Sequence, residues 1–174
     1  ITSGSLSIKS SDAFWEEIAL NRKLQGSVLQ SFDAFLLIRG MRTLFLRFEK
    51  ATENATRIAH HFEHHKLIEK VLYPGLASHP GHAIQAAQTS RLFGGMMSLI
   101  TKGNKQSAID VARYCNVFYP ATSLGGVESL IEHRATVSGD DFPVHPNLLR
   151  LSIGIEDVND LIDDLEQALE RANT

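Results

Sequence analysis

The sequence predicts a fold of the α/β or α+β class, in which several strands are separated by helices. Beyond Lys66, short apolar runs alternate with segments of helical periodicity. Before that residue, one helical pattern covers about residues 31–65. The length of 174 residues, of which 43% are hydrophobic, suits one domain or one domain and a fragment of another.

The chain opens on a segment that reads as a strand, Ile1–Ile8. A strand needs a neighbour and none precedes this one, so we expect a chain that is cut within a sheet. Ser11 and Asp12 are expected to cap a helix that runs to about Gly26. The apolar face of that helix has five residues: Phe14, Trp15, Ile18, Ala19 and Leu24.

The longest helical pattern runs from Ser31 to about His65, with Asp33 in its first turn. Gly40 interrupts this pattern. A helix of about 30 residues is longer than one small core requires. We therefore expect it to bridge two lobes or to kink at Gly40.

Past Lys66 the pattern changes to short elements. Strands are expected at Ile68–Leu72, Met96–Ile100, Val117–Tyr119 and Leu148–Ile153. Helices are expected from about Ala83, over Ser107–Cys115, and from Asp157 or Asn159 onward. Residues 73–82, which contain several proline and glycine residues, are expected to form a loop.

Composition and charge argue against several classes of protein. With 17 Lys and Arg against 20 Asp and Glu, the net charge is -3, so we expect no nucleic-acid partner. No apolar run approaches the roughly 20 residues that a membrane span needs, so we expect no membrane partner. Because Cys115 is the single cysteine, a disulfide framework within one chain is excluded, and a cytoplasmic location is expected.

A cluster of histidines is the first candidate for chemistry. Two pairs at i,i+4 spacing, which could meet one metal on a helix, are formed by His60, His61, His64 and His65. The simpler interpretation is a polar helix end, where histidine complements the helix dipole. Because no acidic or cysteine ligand stands at a matching position, we predict no metal site.

Three other reactive side chains have simple structural interpretations. His79 and His82 flank Pro80 and Gly81 and are expected to hydrogen-bond within their own loop. Cys115 lacks a recognisable partner and is expected to behave as a buried small hydrophobe rather than as a nucleophile.

Two glycine pairs could let the backbone approach a ligand. Gly94 and Gly95 lead into a strand, and Gly125 and Gly126 lie between a strand and an expected helical turn. Paired glycines allow free amides to point at an anion, although such a pair is usually only a turn. Neither pair belongs to a phosphate loop.

Arg150 stands alone among apolar residues of a predicted strand. A buried arginine is costly unless an anion pairs with it. The partner could be structural, in which case the candidates are Glu128, Glu132 and Glu156. It could equally be the carboxylate of a ligand, held by two parallel hydrogen bonds from the guanidinium. The spacing does not favour either interpretation.

Five segments together carry a resemblance that covers nearly the whole chain. They are residues 31–44 (SFDAFLLIRGMRTL), 73–82 (YPGLASHPGH), 93–96 (FGGM), 123–130 (SLGGVESL) and 149–157 (LRLSIGIED). In this order and at these separations they resemble the pyridoxal-phosphate-dependent Cys/Met metabolism (trans-sulfuration) family. That family includes cystathionine γ-synthase, the cystathionine lyases and related sulfhydrylases.

The resemblance implies an aspartate-aminotransferase-type fold with a large cofactor-binding lobe and a small α+β lobe. Residues 1–38 would be the tail of the large domain, and residues 39–174 the C-terminal small domain, with a linking helix at about 31–65. In the family, the lysine that forms the Schiff base with pyridoxal 5'-phosphate precedes a strand that resembles Ile1–Gly4. We therefore expect this lysine to precede residue 1, and no catalytic or cofactor-binding residue within the chain.

By the same resemblance, the chain contains the end of the site that binds the substrate. Arg150 matches the arginine that grips the substrate α-carboxylate, and Ser123 matches a serine beside the lysine. Thr122 and Leu124 flank that serine and are expected to line the substrate. Thr122 departs from the glutamate often found there, so it cannot bind a distal ammonium group. Arg134, where many members have proline, is expected to be structural.

The implied activity belongs to the complete protein. It would be a carbon–sulfur lyase or transferase that performs β- or γ-elimination or replacement on sulfur or activated-homoserine amino acids. Cystathionine γ-synthase or lyase is the first interpretation. The alternatives are a β-lyase, an O-acyl-homoserine sulfhydrylase, one component of a split enzyme, or a noncatalytic amino-acid-binding or assembly module.

The resemblance also implies partners. We expect a homo-oligomer, a tetramer in most members of the family, and an N-terminal portion that binds the cofactor. The 174 residues alone are expected to be inactive, because the Schiff-base lysine is missing. Apolar residues of the opening strand and of the Phe14–Trp15 helix are expected to be unusually exposed or covered by another copy.

Overall fold

The computed structural model describes residues 4–138 and 143–174. The chain divides into two compact units, Ile1–Phe45 and Leu46–Thr174. The helices are α1 (Ala13–Gln25), α2 (Ser31–Met41), α3 (Leu44–Phe62), α4 (His82–Thr89), α5 (Lys105–Tyr114), α6 (Arg134–Ser138) and α7 (Val158–Ala172). The strands are β1 (Ile68–Leu72), β2 (Met96–Thr101), β3 (Tyr119–Pro120), β4 (Leu130–His133) and β5 (Leu148–Ser152). None of the described helices has the length and hydropathy to cross a membrane.

The first unit contains α1 and α2, and α1 begins and ends as predicted. The Asp12 carboxylate accepts a hydrogen bond from the Trp15 backbone N–H at 2.8 Å, which caps the helix start. Gly26 ends the helix in the left-handed conformation at φ 69°. No described residue before Leu46 is buried, and Phe14 is 69% exposed, as expected for the apolar face of this helix.

The predicted opening strand is wrong where the structure describes it. Residues 4–8 form no strand, and Ile1–Ser3 lie outside the described residues. A strand is held by hydrogen bonds to a neighbouring strand, and the first unit contains no strand in the part that is described. Alternating residues are therefore not sufficient to form a strand here.

The long helical pattern is divided into two helices. α2 ends at Met41 and α3 begins at Leu44, so the break lies just after Gly40. The expected single helix over about 31–65 is thus corrected in favour of the alternative with an interruption. The assignment of residues 1–38 to a large domain and 39–174 to a small domain stays a prediction.

The second unit is built on a mixed sheet of five strands in the order β1-β2-β5-β4-β3. Adjacent strands are antiparallel except β3 and β4, which are parallel. The strands β1, β2 and β5 lie where they were predicted, and the predicted strand at Val117–Tyr119 corresponds to β3 two residues later. The helical turn that was expected after Gly126 is wrong, because Leu130–His133 pairs with a strand on each side as β4.

One face of the sheet forms the core and the other carries the polar side chains. On the core side, four side chains are completely buried: Leu99, Ile131, Leu149 and Leu151. They cluster with apolar residues of α3, α5 and α7. Because side chains alternate along a strand, the residues between these point to the opposite face. Ser98 and Glu132 lie opposite Arg150 on the two neighbouring strands, on that second face.

The last helix has a local cap and one contact that ties it to the rest of the unit. Asp157, one of the two predicted starts, caps α7 by accepting from the Asn159 backbone N–H at 2.8 Å. The buried Asp164 carboxylate accepts three backbone N–H bonds at 2.8–3.1 Å from Asn116, Val117 and Phe118. These bonds fix the chain between α5 and β3, and so set the position of the segment that follows β3.

Candidate functional site

Arg150 lies in the middle of β5 on the half-exposed face of the sheet. The strand register places Ser98 of β2 on one side of it and Glu132 of β4 on the other. The side chain of Arg150 is 22% exposed, so it is held among protein atoms and still meets solvent. The apolar strand therefore presents one cation at its centre.

The two hydrogen bonds of Arg150 leave from the same nitrogen atom. Nη1 donates to the Thr122 carbonyl oxygen at 3.0 Å and to Glu132 Oε1 at 2.8 Å. An Nη nitrogen carries two N–H groups, so these bonds use both of them. Among the described residues, Nε and Nη2 have no partner. They form the side edge of the guanidinium, which can give two parallel hydrogen bonds to a carboxylate.

Glu132 holds a second arginine through the same oxygen. Arg134 Nη1 lies 3.1 Å from Glu132 Oε1, while Oε2 is buried without a hydrogen-bond partner in the described part of the chain. The side chain of Glu132 is 4% exposed. One carboxylate cannot neutralise two guanidinium groups, so this cluster keeps a net positive charge that favours an anion.

Both sequence interpretations of Arg150 are therefore compatible with the geometry. The structural partner exists, and it is Glu132 rather than Glu128 or Glu156. The unpaired side edge leaves room for the ligand interpretation as well. Arg134 pairs with Glu132, in agreement with its expected structural role.

The segment between β3 and β4 carries the other predicted site residues. Its link to Arg150 is the Thr122 carbonyl, a backbone atom that a substitution at this position would retain. Ser123 and Leu124 follow directly and are exposed. No hydrogen bond joins either of them to Arg150 in the described structure, and their role in substrate binding stays a prediction.

The carboxylate of Glu156, which follows β5, holds the C-terminal end of the segment between β3 and β4. Glu156 accepts from the Ser129 backbone N–H at 2.5 Å and from the Ser129 hydroxyl at 2.8 Å. The same hydroxyl oxygen accepts from the Gly154 N–H at 2.8 Å, and the Val127 carbonyl accepts from Ile155 at 2.9 Å. The segment that carries Gly125 and Gly126 is therefore anchored to the end of β5 rather than free to move as a turn.

Helix α3 holds the backbone after β5, to which this segment is anchored. The completely buried Asn54 donates from Nδ2 to the carbonyl oxygens of Gly154 and Glu156 at 3.1 and 2.9 Å. A buried amide that satisfies two carbonyls stabilises the local backbone, since leaving them unpaired would cost about 1–3 kcal/mol each. Sequence periodicity alone did not single out Asn54, although an amide within an apolar helical pattern is a usable signal.

The other glycine pair is structural. The Gly94 N–H donates to the Thr52 hydroxyl at 3.1 Å, and a Cβ on Gly95 would lie 2.6 Å from the Ile153 carbonyl oxygen. Tyr73 donates to the Gly94 carbonyl at 2.9 Å. Burial raises the pKa of Tyr73, while its hydrogen bond to Thr56 lowers it by less. These contacts pack backbone against backbone and leave no space for a ligand.

A mainly apolar cavity of about 480 Å³ borders the candidate site. Thr122 and Glu132 contribute to its wall, together with side chains of α5 and α6. Cys115 also lines it, and burial together with the negative charge of Asp164 raises the pKa of this thiol to about 12. The thiol is therefore neutral near pH 7, and Cys115 is half-buried rather than fully buried as expected. Its lack of a nucleophilic role stays a prediction.

The histidine cluster is held by an acid that the sequence did not identify. Glu166 of α7 contacts His61 Nε2 at 2.6 Å through Oε1 and His65 Nε2 at 3.2 Å through Oε2. In the described ranges no group of three or more His, Cys, Asp and Glu side chains has the geometry of a metal site. These contacts join α3 to α7.

The loop histidines behave as predicted. The Gly81 N–H donates to His79 Nδ1 at 3.1 Å, and His82 Nδ1 lies 2.8 Å from the Pro74 carbonyl oxygen. Both bonds stay within residues 73–82 and stabilise the loop that precedes α4.

The residues around Arg150 fit a carboxylate rather than a cofactor that requires a lysine. No lysine stands opposite Arg150 on the two strands beside β5. All seven lysines are exposed or half-exposed in the described structure: Lys9, Lys23, Lys50, Lys66, Lys70, Lys102 and Lys105. The arrangement can bind and orient an anionic group. It supplies no amine that could form a covalent bond to a carbonyl compound at the same place.

Comparisons with known proteins identify the family of this chain. Residues 2–170 match the model of a family described as Cys/Met metabolism PLP-dependent enzyme. The chain is 47% identical over 159 residues to cystathionine gamma-synthase of Mycobacterium tuberculosis, covering 88% of this chain and 41% of that protein. It is 40% identical over 162 residues to cystathionine beta-lyase of Coxiella burnetii, covering 88% and 42%.

A solved structure is also similar. Cystathionine gamma synthase from Xanthomonas oryzae pv. oryzae in complex with cystathionine superposes with a TM-score of 0.84 at 39% identity. The match covers 93% of this chain and 44% of that one. The chain thus spans about two fifths of the length of the relatives that it matches, and its fold is that of the corresponding part of a PLP-dependent trans-sulfuration enzyme.

Proposed function

The chain belongs to the Cys/Met metabolism PLP-dependent enzyme family, and we propose that it supplies the substrate-carboxylate end of a trans-sulfuration active site. The complete protein would be a carbon–sulfur lyase or transferase that acts on sulfur or activated-homoserine amino acids. One observation carries the proposal: Arg150 has a structural partner on Nη1 and an unpaired side edge at Nε and Nη2.

Pyridoxal 5'-phosphate, when bound in the complete enzyme, would supply the electron sink for the charge that develops at the substrate Cα. The residues of this chain bind and orient the substrate. Arg150 would hold the α-carboxylate by two parallel hydrogen bonds, which restricts rotation about the bond from the carboxyl carbon to Cα. A fixed Cα places one of its bonds in the reactive direction, and such positioning accounts for a large share of catalysis.

Ser123 and Leu124 would contact the same substrate from the segment after β3. This segment is anchored at both ends, by the Thr122 carbonyl on Arg150 and by Ser129 on Glu156. The first anchor is on β5 itself, and the second joins residues that lie just before β4 and just after β5. The carboxylate fork and the exposed Ser123 hydroxyl are therefore held by one rigid body, which supports a joint role.

Cystathionine γ-synthase or lyase is the preferred branch, because relatives with both chemistries match the chain. The structure of the Xanthomonas relative contains cystathionine, an amino acid with a carboxylate at each end. Thr122 supplies no charge for a distal ammonium group. For this reason, an O-acyl-homoserine sulfhydrylase, whose sulfur donor needs no such charge, is the second candidate.

The test is an assay of the complete protein loaded with pyridoxal phosphate. We expect turnover of cystathionine, or of acylated homoserine together with cysteine. Turnover of acylated homoserine with sulfide alone would select the sulfhydrylase. An absence of turnover with all three, in protein that binds the cofactor, would contradict the enzymatic proposal and favour a noncatalytic amino-acid-binding module.

We further propose that the complete protein is a cytoplasmic homotetramer whose N-terminal portion binds the cofactor. The assembly is what the family resemblance implies, and the exposed apolar side chains of α1 and α2 offer surface for it. Light scattering on the complete protein measures the assembly. A monomer at micromolar concentration would contradict it.

A further inference from the structure

We propose that Glu132 is the positioning residue that orients Arg150 toward the substrate, and that Arg134 acts only through Glu132. The proposal rests on the function proposed above and adds the device that sets the direction of the guanidinium. Neither residue needs to touch the substrate for this role.

The first argument is the strand register. Glu132 of β4 lies directly opposite Arg150 of β5, and directly opposed side chains on antiparallel strands lie on the same face. The ion pair therefore follows from backbone pairing rather than from a flexible contact. The low exposure of Glu132, 4% against 22% for Arg150, shows which partner is buried in the protein and which one reaches solvent.

The second argument is that both N–H groups of Arg150 Nη1 are already bonded within the protein. The Thr122 carbonyl and Glu132 Oε1 take both N–H groups of Nη1, from two different strands or loops. Two bonds to one nitrogen fix the plane of the guanidinium as well as its position. With Nη1 directed into the protein, the side edge formed by Nε and Nη2 is directed away from Glu132.

The third argument concerns charge. A buried carboxylate with one unpaired oxygen is stable only when cations compensate for it. Arg134 lies 3.1 Å from the oxygen that also binds Arg150, and its own side chain is 39% exposed. Arg134 thus supplies the charge that makes a buried Glu132 tolerable, while Arg150 keeps its donors for an anion.

The experiment compares Glu132→Gln with Arg134→Gln in the complete enzyme loaded with cofactor. Glutamine keeps an oxygen near Nη1 but loses the charge, so the guanidinium is no longer fixed. For E132Q we expect KM for the amino-acid substrate to rise about tenfold or more, with kcat within about twofold, since misplacement of a binding group weakens binding first. For R134Q we expect KM within about threefold of the wild type.

Glu166→Gln is the matched control, because Glu166 is another paired carboxylate of this unit whose oxygens contact His61 and His65 instead of an arginine. E166Q should lower the melting temperature and leave KM unchanged. Calorimetric binding of butyrate, a carboxylate that does not react, should weaken in E132Q in parallel with KM. If E132Q does not fold, Glu132→Asp shortens the side chain, keeps the charge and is expected to raise KM in the same way.

Three results would overturn the inference. One is an unchanged KM and butyrate affinity in both Glu132 variants. Another is an R134Q enzyme more impaired in KM than E132Q, which would place Arg134 on the substrate rather than on Glu132 alone. The third is an equal loss in E166Q. A wild-type enzyme that turns over no amino acid would instead contradict the proposed function, so the two failures are distinguishable.

Discussion

Arg150 illustrates how a single side chain can serve the fold and the ligand at once. Two of its five N–H groups are bonded to Thr122 and Glu132, and the remaining three are available. The charge of the side chain is therefore partly compensated inside the sheet, by the carboxylate that Arg150 shares with Arg134, before any substrate arrives. This lowers the cost of keeping a cation in an apolar strand, and it leaves a preorganised donor edge.

Replacement of Arg150 tests its role directly. In the complete enzyme we expect Arg150→Ala to raise KM for the amino acid strongly, because each charged hydrogen bond contributes about 1.5–3 kcal/mol. Arg150→Lys should recover only part of this loss, since an ammonium cannot form the two parallel bonds. Steady-state kinetics measure both effects. Arg57→Ala, which removes an arginine bound to Asn159 on another surface, is the control.

Unchanged kinetics in R150A would remove Arg150 from the substrate site. In that case its pairing with Glu132 would be its whole role, as the structural interpretation of the sequence supposed.

Cys115 gives a prediction about pH. Burial raises its pKa from 9.0 to about 12, so at pH 8 the folded protein holds about a thousandfold less thiolate than the unfolded chain. We expect a disulfide reagent to modify Cys115 slowly in the native protein and rapidly in urea. Similar rates in both states would contradict the burial of this thiol.

The same shift makes stability depend on pH. Between about pH 9 and 12 the unfolded chain releases the Cys115 proton while the folded chain retains it, so stability is full below pH 9 and falls as the pH rises. Tyr73 acts in the same direction, because burial raises its pKa. Denaturant melts at several pH values measure the slope, which should be shallower in Cys115→Ala.

Residue-level chemistry was only partly predictable from the sequence. An acid partner for Arg150 was expected, and three glutamates were candidates, yet spacing could not select among them. The choice of Glu132 depends on which residue of β4 lies opposite Arg150, and the strand β4 was not predicted. The acid that holds His61 and His65 was missed for the same reason, since Glu166 lies about a hundred residues further along the chain.

At the scale of elements, the segment between β3 and β4 depends on the small size of Gly154. A Cβ on Gly154 would collide with the Val127 carbonyl oxygen and lie 2.6 Å from the Glu156 carboxylate. We expect Gly154→Ala to destabilise the protein by about 1–3 kcal/mol, because the segment must move to accept the methyl group. Thermal unfolding measures the loss, and amide shifts of residues 122–129 report the movement.

Gly40→Ala is the matched control for this substitution. No atom lies within 4 Å of a Cβ built on Gly40, and the residue is in α2. Alanine is favoured over glycine in a helix by about 1 kcal/mol, so stability should be unchanged or higher. A G154A protein as stable as G40A would show that the segment is not tightly packed against β5.

Helix ends and strands with a strong apolar pattern were predicted well, whereas two short segments whose state depends on pairing were not. The helix starts are read from a few adjacent residues: Asp12 caps α1 as predicted, and Asp157, one of the two predicted starts, caps α7. The strand β4 is four residues long, and it is defined by pairing with β5 and β3. The opening segment had the alternation of a strand but no partner in the described unit. Pairing, rather than pattern, decided both cases.

At the scale of the molecule, the second unit contains its own core. Its buried apolar residues all lie at or beyond Ala55, and no described residue before Leu46 is buried. We therefore expect residues 46–174 alone to fold, with a cooperative thermal transition and a dispersed amide spectrum. Circular dichroism and NMR on the shortened chain measure this.

A substitution in the core checks that the transition reports the same packing. Leu149→Ala, at a completely buried position, should lower the stability of the shortened chain by about 2–5 kcal/mol. If residues 46–174 show no cooperative transition, then the core requires the first unit as well, and the division into two units does not describe independent folding.

The pairing of β4 with β5 limits which insertions between the two strands are compatible with anion binding at Arg150. Because side chains alternate along a strand, a slip of one residue between these strands would send Glu132 and Arg150 to opposite faces of the sheet. Insertions between His133 and Leu148 are compatible with the anion site only if the backbone pairing of the two strands does not shift. Selection for binding of a small metabolite would thus act on the register of two paired strands. Whether an insertion there is tolerated should depend on whether it shifts this register, and not on how many residues it adds.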